Sequence, residues 1–141
     1  AMQVNARLVM RLGMRQLSKQ ALRASVVLAV VYAIITFAMA GLPPTWVTGV
    51  DLFLFFFFSG LLFGNFTALA MEPVGRIAGM AAALNGTISS LMAVVLGGLA
   101  GLTFDGTLRT LALSFLGASL LAFMASEYAE RRRHAGEKSS P

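Results

Sequence analysis

The sequence predicts an all-α integral membrane protein of four transmembrane helices, and three observations predict it. Of its 141 residues, 57% are hydrophobic and 12% charged, whereas a soluble domain carries about a quarter charged residues. Four long apolar stretches, residues 24–42, 52–71, 77–104 and 108–125, come close to or exceed the about 20 residues needed to cross a hydrocarbon core about 30 Å thick. Their continuity excludes a membrane barrel, whose strands alternate and run about ten residues.

Residues 1–23 are basic, with Arg7, Arg11, Arg15, Lys19 and Arg23 ahead of the first apolar run and no small-residue cleavage site close behind it, so the first span is expected to stay in the membrane. The opening Ala1-Met2 reads as a cut, and further sequence is expected upstream. Span 24–42 stops at Pro43-Pro44 and is followed by Trp46, an interfacial anchor. Span 52–71 lies between Asp51 and Glu72, with Pro73 and Gly75 making a tight turn. Span 77–104 exceeds what the bilayer demands and is expected to tilt or project. Asp105-Gly106 turns the chain into span 108–125, and residues 126–141 are expected to be a mobile charged tail.

Four crossings put both termini on one side. Ten of the eleven Lys/Arg residues fall on that side, Arg76 and the cluster Arg131, Arg132, Arg133 and Lys138 among them, and Arg109 alone falls opposite. The positive-inside rule makes that side cytoplasmic. It also accounts for the net charge of +5 without nucleic acid, because the basic residues flank apolar spans.

Within lipid, small residues at four-residue spacing let helices approach closely. Gly86, Ser90, Ala93, Gly97 and Gly101 form such a stripe on the third span, and Gly60, Gly64 and Ala68 on the second. Polar side chains concentrate on the same two spans: Ser59, Asn65 and Thr67, then Asn85, Thr87, Ser89 and Ser90. Amides are costly in hydrocarbon, so Asn65 and Asn85 are expected against other helices or a wet cavity, with spans two and three as the inner pair.

The sequence has no cysteine and a single histidine, His134, in the charged tail, so no metal or cofactor site is expected. Asp51, Glu72 and Asp105 sit at span ends, as interfacial caps, and no acid or base falls in the centre of a span. No nucleophile-base pair, carboxylate pair or phosphate loop can be assembled, and an enzyme is not expected.

The run ARLVMRLGMR, Ala6 to Arg15, resembles the second signature loop of the major facilitator superfamily, Gly-x-x-x-Asp-Arg-x-Gly-Arg-Arg. Arg11, Gly13 and Arg15 match; Ala6, Met10 and Met14 depart, so the aspartate's charge-pairing role does not carry over. The stretch GNFTALAMEPVGRIAGMAAALNG, Gly64 to Gly86, is similar to the junction of the tenth and eleventh helices in the bicyclomycin- and chloramphenicol-resistance branch of drug:proton antiporters. Asn5 to Val9 and the Phe104 to Thr107 turn fit the same branch. The resemblance implies that the four spans are helices nine to twelve of a twelve-helix fold, part of its C-terminal half, with Ala1 to Val9 ending helix eight.

Its functional implication is multidrug or antibiotic efflux by proton antiport across a bacterial inner membrane, with a missing N-terminal half as partner and a drug-like small molecule as substrate. Candidate cavity residues are Phe63, Asn65, Phe66, Asn85 and Met92, and candidate gating residues are Arg11, Gly13, Arg15, Glu72 and Arg76. The proton-carrying acid would then lie in the absent half. The alternative is a self-contained four-helix membrane protein, either a dimeric transporter or an accessory subunit; small dimeric transporters use a glutamate in their first helix, and residues 24–42 contain no acid.

Overall fold

The computed structural model describes residue 9 and residues 13–71 and 77–138, all of whose regular structure is helical. Arg11, Glu72 and Arg76 lie outside these residues. The helices are α1 (Met14–Ala38), α2 (Thr45–Met71), α3 (Ala78–Leu102) and α4 (Arg109–Lys138). Each contains a stretch long and apolar enough to cross a membrane, as the composition requires of an all-α membrane protein.

Helices α1, α2 and α4 are longer than the apolar runs that predicted them. Helix α1 starts at Met14, ten residues ahead of residue 24, because Arg15, Lys19 and Arg23 recur every four residues and their long stems follow a helix surface while the charges reach water. Their partly to fully exposed side chains fit this course. Helix α4 continues past residue 125 to Lys138, through a segment expected to be mobile. Glu, Lys, Arg and Ala there are good helix formers, and Glu130 accepts an ion pair from Lys19 at 2.5 Å, holding the extension against α1.

The ends follow local chemistry. Gly13, at φ 79°, accepts the Leu17 amide at 3.1 Å and so opens α1. The other end of α1 closes in a Schellman motif: the Gly41 amide donates to Thr36 O at 2.7 Å and the Ala40 amide to Phe37 O at 3.3 Å. Ala40 takes the left-handed conformation, φ 54°, that this motif requires. Pro44 then starts α2, its carbonyl accepting the Val47 and Thr48 amides at 2.9 and 3.2 Å.

Beyond α3 the chain turns through Asp105, whose Oδ1 accepts the Thr107 amide at 3.0 Å and the Thr107 hydroxyl at 2.7 Å. The Thr107 hydroxyl oxygen in turn accepts the Arg109 amide at 3.3 Å, satisfying one of the donors left open at the start of α4. The two turns at this end of the bundle meet, because the Leu108 amide donates to Gly41 O at 2.9 Å.

Helix α1 is the centre of the packing, flanked by α2 and α4, while α3 touches α2 and α4 only sparsely. This reverses, within the described residues, the expected order of spans two and three inside and one and four outside. The physical reason lies on α1. Its buried residues include Ser18, Ala21, Ser25, Ala29 and Ala33, small side chains that admit two neighbouring backbones. Ser18 and Ser25 can be buried because their hydroxyls donate to the carbonyls of Met14 and Ala21, at 2.8 and 2.9 Å. Tyr32 and Ala33 pack on Ala112 of α4 and close this core with Leu116.

Candidate functional site

Helix phase decides where each predicted site residue goes. Adjacent helical residues point about 100° apart, so Asn65 and Phe66 cannot share a face. Asn65, 2% exposed, lies on the buried side of α2 with Asp51 and Leu61, as expected of an amide in a membrane helix. Phe66 instead edges a small crevice of about 160 Å³ formed with Arg15, Ser18, Lys19, Leu69 and Glu130. Phe63 and Met92 are 66% and 56% exposed, and Asn85 is exposed as well. The described residues therefore do not gather the five cavity candidates around one space. Of the gating candidates, Gly13 opens α1 and Arg15 lines the small crevice.

A larger space lies elsewhere, between α3 and α4 and floored by α2. It is a crevice of about 770 Å³ that includes Phe55, Leu96, Gly97, Gly101, Phe104 and Phe115 in its wall. Phe55 and Phe115 stack with centroids 4.0 Å apart and planes within 3°, bridging α2 and α4, whose backbones stay apart. Its hydroxyls are already committed: Ser114 donates to Thr110 O at 2.8 Å and Thr110 to Thr103 O at 3.0 Å. The crevice therefore offers aromatic and aliphatic area rather than directional hydrogen bonds, a chemistry that holds apolar bodies of varied shape. The continuous phenylalanine run Phe55 to Phe58 hid which ring would turn inward, since a helix hydrophobic on every side has no phase to read.

Of the proposed packing residues, Gly97 and Gly101 line this crevice. A side chain added at Gly86, Gly97 or Gly101 would meet nothing within 4 Å, and Gly60, Gly64 and Ser90 are exposed. The small-residue stripe is therefore not covered by the described residues.

The acids divide into two kinds. Asp105 is an exposed cap, and its hydrogen bonds from the Thr107 side chain and amide hold its carboxyl below the usual aspartate range, with Arg109 adding a weaker attraction. Asp51 is not a cap, contrary to the sequence reading. Helix α2 begins six residues earlier at Thr45, which places Asp51 about 9 Å along the helix. It is 5% exposed, and both carboxyl oxygens are buried without a hydrogen-bond partner among the described residues.

Arg109, the cation at the same end, has its guanidinium 5.8 Å over the ring of Phe37 on α1. No group of three or more metal-ligating side chains occurs among the described residues. No family model, curated protein or solved structure matches the chain.

Proposed function

We propose that the chain is the C-terminal part of a secondary active transporter that exports drugs or antibiotics by alternating access, coupled to protons. The observation that carries this reading is α3. It is mostly apolar and none of its described residues is buried, yet it bears Asn85 and the Gly86, Ser90, Gly97 and Gly101 stripe. A membrane helix with an amide and a close-packing stripe is made to be covered by other protein, and in a two-halved transporter such helices line the interface between the halves.

The crevice beside α3 suits a substrate held by apolar area. The Lys/Arg asymmetry supports cytoplasmic termini in a bacterial inner membrane. Transport by rocking halves requires a second half, so activity belongs to the longer protein.

The test is drug accumulation in efflux-deficient bacteria. Cells producing the chain together with its in-frame upstream spans should accumulate less of a fluorescent cationic drug, and collapse of the proton gradient should abolish the difference. Cells producing residues 1–141 alone should match the empty-vector control. Export by this chain alone, or an upstream sequence without membrane spans, would overturn the proposal and favour the self-contained four-helix protein.

A further inference from the structure

An ionised carboxylate costs several kcal/mol to hold in an apolar interior unless a cation or several donors compensate it, and such a group takes up a proton instead. Asp51 is in that position. Helix α2 carries no other ionisable residue from Thr45 to Met71, and α3 carries none from Ala78 to Leu102. On α1, Arg15, Lys19 and Arg23 lie in the N-terminal part of the helix, and the titratable group beside Thr48 is Tyr32, whose phenol donates to Thr48 Oγ1 at 3.3 Å. Between Arg109 and Glu127, α4 has no charged residue, and the Arg109 guanidinium lies 5.8 Å over the Phe37 ring.

Thr48 and Asp51 are three residues apart and therefore share a face of α2, the face that meets α1 at Tyr32. One turn further, Phe55 is stacked on Phe115 of α4, so the carboxyl lies between a phenol contact and an aromatic stack.

We infer that Asp51 is a proton-binding site at the α1–α2 interface: it holds a proton while the two helices are packed and releases it when they part and water enters. The step is the dissociation of the carboxyl O–H, with the proton passing to water and the electron pair staying on the carboxylate. Because the ionised form requires water and the packed interface excludes it, protonation and packing are linked, each favouring the other. The site needs nothing from the transport proposal beyond a membrane around it.

The test is infrared difference spectroscopy on the full chain in lipid vesicles, stepping the pH from neutral to alkaline. The wild type should show a protonated carboxylic-acid carbonyl band at neutral pH that disappears on alkalinisation. Asp51→Asn should lack the band, and Asp105→Asn should keep it. A cysteine pair at Val31 and Val50, exposed positions on α1 and α2 of a chain without native cysteine, carries spin labels. Their separation should increase as the band disappears in the wild-type background and stay constant with Asp51→Asn.

Should Asp51→Asn fail to fold, the wild type decides by itself. Dicyclohexylcarbodiimide, which modifies protonated carboxyls in apolar surroundings, should leave its adduct on Asp51 at neutral pH. An absent acid band, the same band in Asp51→Asn, no adduct on Asp51, or a label separation that ignores its ionisation would each overturn the inference.

Discussion

Helices α1 and α3 are both 25 residues long and both strewn with small residues, yet they occupy opposite environments. Helix α1 buries nine residues between α2 and α4; none of the described residues of α3 is buried. The difference teaches that small residues at helical spacing declare a face packable without naming what packs on it. On α1 the stripe Ser18, Ala21, Ser25 and Ala29 meets two helices supplied by the chain itself. On α3 the stripe Gly86, Ser90, Gly97 and Gly101 meets no described residue closely.

The sharpest way to break this comparison is to place the same large side chain on both stripes. Ala29 is fully buried, and Ala29→Leu should destabilise the chain by about 1–3 kcal/mol, because added methylenes in a filled interface force neighbours apart. Gly97→Leu in this chain should not destabilise it, since a Cβ there meets nothing and a helix interior favours Leu over Gly by up to about 1 kcal/mol. In the proposed two-halved transporter, the same Gly97→Leu should reduce the amount of folded protein. Thermal unfolding in detergent and quantitative recovery from membranes read the two cases. Equal effects of the two substitutions in this chain would erase the distinction between the helices.

A somewhat smaller effect is expected where the α1 end touches the turn into α4. Gly41 has φ 90°, and a Cβ on it would come within 2.8 Å of Thr107 Cβ and 3.0 Å of Arg109 Nε. Gly41→Ala therefore adds the left-handed penalty of about 1–2 kcal/mol to a contact that must shift. A loss of about 2 kcal/mol in unfolding free energy is the expected result. Ala40, one residue earlier and already at φ 54°, supplies the opposite control: Ala40→Gly should raise stability by up to about 1 kcal/mol.

The existence of four helices was legible because hydropathy over about twenty residues is set by the bilayer alone. The turns were legible too, through Pro43-Pro44 and Asp105-Gly106. What escaped was phase and partnership. Polar content pointed to α2 and α3 as the inner pair, but polar residues mark a face that must be covered and give no order of assembly, and the two buried serines of α1, Ser18 and Ser25, bond within their own helix. Asp51 read as a cap because its neighbours Leu52 to Phe58 are uniformly apolar, whereas the helix begins before the apolar run does, with Thr45 to Val50. The crevice between α3 and α4 draws on separate elements, a convergence that periodicity along one helix does not encode.

The smallest expected effect concerns the joint that ties α4 to α1 but leaves α3 free, and it is a pH dependence. Asp105 is bonded by both the amide and the hydroxyl of Thr107, which favour its ionised form, so its folded pKa lies below the ordinary aspartate value of 3.8. A group shifted in this direction adds stability that is fully present above the unfolded value and is lost as the pH falls through the folded one. The turn should therefore hold at neutral pH and weaken only below about pH 4.

The Leu108 amide, which donates to Gly41 O at 2.9 Å immediately after this turn, is the reporter. Its hydrogen-exchange protection factor should decline on acidification in the wild type. In Thr107→Val, which keeps the amide donor but loses the hydroxyl, the carboxyl should titrate nearer its ordinary range, so the decline should begin at higher pH. Amides near Gly97, in the uncovered part of α3, should keep unchanged protection factors throughout. Loss of protection in α3 together with Leu108 would mean that the acid acts on the bundle as a whole, and that α3 is tied to the α1 joint more firmly than its sparse contacts with α2 and α4 allow.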